Sequence, residues 1–105
     1  MKKKENPNYK RDLMKRLQNP KRAQAYLNAA FEDEEKHVFL LALRDVAEAQ
    51  GGLGKIARLT NISREHIYRM LSEKGNPELE TLRKLLSALD FKLLISSKDQ
   101  GQKAA

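Results

Sequence analysis

Directly after Ser63 the chain sets Arg64, Glu65, Tyr68 and Arg69 around the apolar positions Ile67, Met70 and Leu71. At helical spacing the three apolar residues turn inward and the four polar ones outward, with Ser72 at the edge of the outward face. The chemistry such a face can perform is the reading of a duplex edge. An arginine pairs with guanine O6 and N7 through two parallel hydrogen bonds, a match that discriminates by about 1–3 kcal/mol per base. Arg64, first on the helix, would lie nearest the groove floor and is the leading candidate for a base contact. Arg69 is a turn or more further on and could reach either base or phosphate. Tyr68 can donate to phosphate or pack on a thymine methyl, and Glu65 can accept from cytosine N4 or orient either arginine. Lys55 and Arg58, on the preceding segment, suit neutralisation of the phosphate backbone. Alone, an Arg/Glu/Arg face is a solvated surface with weak ion pairs, so the reading depends on what surrounds it.

Other chemistry finds little support. The chain has no cysteine and two histidines, which removes thiol nucleophiles, disulfides and thiolate metal sites and agrees with a reducing compartment. Asp12, Asp45 and the run Glu32–Glu35 include acidic pairs, but no phosphate-cradling glycine loop or nucleophile accompanies them. The acidic run has an electrostatic role of its own at the N-terminus of the following helix. His66 is read as a partly buried structural histidine, and His37 as a partner of Glu34 or Asp33. The expectation is a protein that is not an enzyme, with no catalytic, cofactor or metal site.

The overall balance is 21 basic against 14 acidic residues, net +7, with a pI near 9.8. A polyanionic partner is therefore the first class to consider. Residues 1–34 hold nine basic and five acidic groups, residues 35–74 seven and five, and residues 75–105 five and four. Over half the excess thus lies at the N-terminal end, away from the candidate reading helix. Three Phe, three Tyr and no Trp leave little surface for stacking unpaired bases, which favours duplex over single strand. The densest apolar run, Val38–Leu43, is far short of the roughly 18 residues of a membrane span. The basic start has no apolar stretch behind it, so the expectation is a soluble cytoplasmic protein without membrane contact.

These residues need a scaffold, and 105 residues provide for one domain. Residues 1–8 read as a flexible basic arm, either solvated or in contact with phosphate. Residues 9–96 form a single helical domain, and 97–105 a disordered tail. A helical hairpin is expected over 9–34: Leu13, Met14 and Leu17 share one face of a helix ended by Asn19 and Pro20, and Ala23, Tyr26, Leu27 and Ala30 share a face of the next. The helix from about Glu35 to Gln50 is apolar over more than one stripe. Its second side either packs internally, against the segment after Gly51, or is left for a partner. Gly51 and Gly52 end it.

A short helix over about Gly54–Leu59, a break at Thr60 and Asn61 and a helix after Ser63 make a helix-turn-helix. Ser63 is a suitable N-cap and joins the candidate DNA-binding residues at the start of the outward face, and Asn61 is the non-glycine residue best able to take a left-handed turn. After Gly75-Asn76-Pro77 a last helix, apolar at Leu79, Leu82, Leu85, Leu86 and Leu89, closes the core of 35–90. Phe91, Leu93 and Ile95 alternate, which predicts a short strand over 91–96. The chain offers no second strand, so its simplest partner is the same strand of another copy, giving a homodimer. The alternative is a helical extension packing locally.

The stretch Leu53–Ser72 resembles the helix-turn-helix of phage-repressor-like regulators, with small Ala57 at the helix crossing and Asn61 in place of the usual turn glycine. The wider string Asn19-Pro20-Lys21-Arg22-Ala23-Gln24-Ala25-Tyr26-Leu27-Asn28-Ala29-Ala30-Phe31-Glu32, the segment Leu43-Arg44-Asp45-Val46-Ala47, and the stretch Asn61–Pro77 with its string Ser72-Glu73-Lys74-Gly75-Asn76-Pro77 together resemble the addiction-module antidote family of HigA-like antitoxins. The resemblance implies a bacterial intracellular protein that binds a small toxin, typically a RelE-like ribonuclease encoded beside it, and represses the shared operon by binding operator DNA. The hairpin around Tyr26 and the basic arm are candidate toxin surfaces. A stand-alone phage-type regulator without a toxin, and an interaction adaptor without DNA binding, are the alternatives.

Overall fold

The computed structural model describes residues 7–98. They form six α-helices: α1 (Pro7–Arg16), α2 (Pro20–Phe31), α3 (Lys36–Ala49), α4 (Leu53–Thr60), α5 (Arg64–Met70) and α6 (Leu79–Ala88). The fold is all-α, as the sequence predicts, and among the described residues there is no strand and no helix long and apolar enough to cross a membrane.

Helix α3 is the axis of the molecule. It packs against α1 and α2 on one side and α4 on the other, while α4 in turn packs against α5 and α6. That double packing accounts for its broad apolar surface, where Phe39, Leu40, Ala42, Leu43, Val46 and Ala47 are all buried. The second side of α3 is therefore internal. Leu43, Ile56, Ile67 and Leu85 are each at most 1% exposed, and truncating such a residue to alanine costs about 2–5 kcal/mol.

The helix boundaries follow from local chemistry. Asn19 does more than end α1, because its Oδ1 accepts from the backbone N–H of Lys21 at 2.9 Å and Arg22 at 3.1 Å. It is thus the N-cap of α2, with Pro20 following where a missing N–H costs nothing. At the end of α3, Gly51 and Gly52 take φ of 119° and 89°, and the Gly52 N–H donates to the Ala47 carbonyl at 2.8 Å. This bond reaches back over the last turn and satisfies a carbonyl that the helix leaves free. Helix α6 ends the same way without glycine: Asp90 is left-handed at φ 65° and the Phe91 N–H donates to Leu86 O at 2.8 Å.

The expected boundaries need revision in two places, and the strand expected over 91–96 has no partner within one chain. Helix α1 begins at Pro7, so Pro7 and Asn8 belong to it rather than to the arm expected over 1–8; the rest of that arm, and residues 99–105 of the expected tail, lie outside the described residues. Leu79 is 63% exposed and does not close the core, a task left to Leu85, Leu86 and Leu89. Residues 91–97 form neither the local helical extension nor a strand. A strand needs a ladder partner, and one chain offers none. Phe91 packs on the core, whereas Leu94 and Ile95 are 80% and 99% exposed.

Candidate nucleic-acid interface

The helix-turn-helix geometry is set by Asn61 and Ser63. Asn61 caps α4 with φ 63° and ψ 31°, in the left-handed region, and its N–H donates to Ala57 O at 2.8 Å. Two residues later the chain is extended again at Ser63, whose Oγ accepts from the His66 N–H at 3.1 Å and starts α5. The reversal is short because one residue absorbs the left-handed step. Ile67 and Leu71 are buried, and Ile62, Met70 and Ala57 pack at the edge of the core. Inward anchoring of Ile67 fixes the rotation of α5.

That rotation leaves Arg64, Glu65, Tyr68 and Arg69 exposed. All four line a single open concavity of about 650 Å³, together with Glu48, Gly52 and Leu53. The two guanidinium groups supply planar donor forks and Glu65 an acceptor, a set able to engage base edges or phosphate. Ser63 stands at the start of α5 as its cap. Ser72, at the far end, donates from Oγ to the Arg69 carbonyl at 2.7 Å and so closes the helix.

Lys55 and Arg58 do not join this concavity. Lys55 lays its stem along Gly51, where an added Cβ would fall 2.5 Å from Cδ, and its Nζ lies 3.5 Å from the Gln50 carbonyl oxygen. The ammonium therefore meets the negative end of α3. Arg58 is exposed in the last turn of α4. His66 is exposed rather than partly buried, because Ile67 takes the inward position beside it. His37 faces Glu35, with Nδ1 to Oε1 3.5 Å, rather than Glu34 or Asp33.

Two residues of α3 border the site and escape sequence reasoning. The Arg44 guanidinium carbon lies 4.5 Å from the centre of the Tyr68 ring. Glu48 forms part of the concavity wall and pairs with Lys10 of α1 at 3.6 Å. The signal was present in the four-residue spacing of Arg44 and Glu48 along α3, which puts them on one face. Deeper in the molecule, the Tyr26 hydroxyl donates to Asp45 Oδ2 at 2.7 Å. Burial, then the bond to the carboxylate, raises the Tyr26 hydroxyl well above the usual phenol range. Among the described residues no cluster of three or more His, Cys, Asp or Glu has the geometry to hold a metal ion.

A family model described as "Probable addiction module antidote protein" matches residues 8–97. An uncharacterized protein of Haemophilus influenzae is 34% identical over 84 residues, covering 80% of this chain and 86% of that relative. No solved structure matches.

Proposed function

The chain belongs to the family of probable addiction module antidote proteins, and from that premise we propose that it is a cytoplasmic antitoxin that binds a RelE-like toxin directly and represses its own operon. An antidote family implies a toxin partner; the DNA arm of the reading rests on α5. The observation that carries it is the convergence of Arg64, Glu65, Tyr68 and Arg69 on one exposed face of a helix anchored by Ile67 and begun by Ser63. In this reading α5 enters the major groove of operator duplex, Arg64 contacts a base, and Arg69 a base or phosphate. Lys55 and Arg58 add general attraction to the backbone, weakened for Lys55 by its contact with the end of α3.

A two-fold operator calls for a two-fold protein. The exposed Leu93, Leu94 and Ile95 support a homodimer in which residues 91–96 pair with the same segment of a second copy and cover these side chains.

The deciding experiment is fluorescence anisotropy of the full chain on duplex from upstream of its own gene, with and without the protein encoded beside it. Wild type should prefer this duplex over scrambled sequence, and affinity should fall with salt by a slope of about 0.9 per phosphate neutralised. Arg64→Ala with Arg69→Ala should abolish the preference while leaving the toxin complex intact. Equal affinity of wild type and double variant for the operator would remove α5 from the reading. A regulator that binds operator but no neighbouring protein would be the stand-alone alternative.

A further inference from the structure

At the other end of α3 an apolar concavity of about 310 Å³ opens between the α2–α3 turn and the start of α6. Phe39, Leu40, Pro77 and Leu82 contribute to its lining, and Phe31 forms one wall. Phe31 meets Phe39 edge to face at 4.9 Å between ring centres, yet remains 61% exposed. Leu79, one turn before Leu82 on the same helix, is 63% exposed. Single exposed apolar residues are ordinary, but an exposed Phe31 on an apolar concavity, with Leu79 a turn away from its lining residue Leu82, makes a patch suited to a protein contact.

The charge around the patch selects the partner. Asp33, Glu34 and Glu35 border it, and the nearby cation, Lys36, donates to Asn76 Oδ1 at 3.2 Å. A chain of net +7 is thus locally acidic here, which repels nucleic acid and anionic membrane. A second copy docking by two-fold symmetry would set this acidic rim against its own image, a like-charge contact. A basic protein surface carrying an apolar side chain complements both features.

We propose that this acid-rimmed concavity is where the toxin partner docks, through a basic face with an apolar anchor; the proposal rests on the antitoxin reading above. Lys36 of this concavity and Glu48 of the α5 concavity are separated by 12 residues of α3, roughly 18 Å at 1.5 Å per residue. The two surfaces can therefore be occupied together, and the complex can sit on DNA.

The test titrates the purified protein encoded beside this chain's gene against the full chain and three variants: Asp33→Lys with Glu34→Lys, Phe31→Ala, and Leu79→Ser. All four positions are exposed, and thermal melts with operator binding verify folding. The charge reversal and Phe31→Ala should each weaken the toxin complex at least about tenfold, with operator affinity unchanged; Leu79→Ser should weaken it in the same direction should Phe31→Ala disturb the fold. Arg64→Ala with Arg69→Ala should not affect toxin affinity. Wild-type toxin affinity in all folded variants overturns the proposed surface alone. Failure of the wild-type chain to bind the neighbouring protein overturns the antitoxin reading and this proposal with it. A change in sedimentation mass with toxin affinity intact assigns the patch to self-association and overturns it as well.

Discussion

The guanidinium of Arg44, on the helix that forms the centre of the core, sits 4.5 Å from the ring centre of Tyr68, on the outward face of α5. A positive charge over an aromatic face is held by the ring quadrupole. The contact crosses from α3 to α5, so one member of the candidate reading face is steadied by a residue outside α4 and α5. Tyr68 is still 52% exposed, leaving part of the ring and the side of Arg44 open to a ligand.

A double-mutant cycle on Arg44→Ala and Tyr68→Ala should return a coupling of about 0.5–1 kcal/mol in denaturant unfolding, the range for a partly solvated cation–π pair. Strictly additive losses would show that the two side chains do not stabilise one another in solution.

Asn61 makes a sharper prediction because its backbone, rather than its side chain, is constrained. At φ 63° an alanine bears the left-handed penalty of about 1–2 kcal/mol, which glycine avoids. Asn61→Ala should lower stability by about that amount, and Asn61→Gly should leave it within a few tenths of a kcal/mol or raise it. The order glycine above alanine, read from chemical denaturation midpoints, is the test. The reverse order would mean that Asn61 is not left-handed.

The Tyr26–Asp45 hydrogen bond at 2.7 Å joins α2 to α3. Tyr26→Phe removes the donor and leaves a half-buried carboxylate without it, which should cost about 1–2 kcal/mol. The pH dependence has a definite sign. Burial and the Asp45 carboxylate raise the folded phenol above its ordinary value, so its contribution is complete below about pH 10 and is lost as pH rises further. Wild type should therefore lose more stability than Tyr26→Phe between pH 9 and 11, whereas the lysines affect both alike. Parallel curves would count against the raised phenol.

How far the sequence alone reaches can be judged from individual residues. Local rules settled what lies within a turn or two: Ser63 as cap, Asn61 as the left-handed residue, Gly51 and Gly52 as terminators, and Ile67 and Leu71 inward. Each depends on backbone chemistry that a short string encodes. What a short string does not encode is who packs against whom. Leu79 continues the apolar spacing of α6, but α6 meets the core only from its second turn onward. Arg44 and Glu48 look like stray charges until α5 is laid across α3. Asp90 shows a left-handed cap where no glycine announces it. Residues 91–96 alternate as a strand does, but a ladder needs a second strand, and its identity is not a property of one chain.

Gly75 yields the most demanding prediction, since its φ is not in the left-handed region and its need for glycine is purely spatial. Its N–H donates to Ser72 O at 3.0 Å, folding the chain back under the end of α5. An added Cβ would fall 1.9 Å from the carbonyl oxygen of Met70 and 2.5 Å from the carbonyl carbon. Both are backbone atoms, so no rotamer change relieves the clash; the turn or the last residues of α5 must move. Gly75→Ala should cost at least about 1–3 kcal/mol, the usual cost of overpacking. The accommodation should appear at Arg69 to Leu71, because Leu71 is 1% exposed and cannot shift without disturbing the core. Amide exchange should quicken through residues 67–71 ahead of α2, which lies on the far side of α3. On the proposed operator reading, affinity for that duplex should fall even though no side chain on the exposed face of α5 has been altered. An alanine variant with wild-type melting and wild-type exchange in α5 would show that the turn after Met70 is looser than the close approach of Gly75 requires.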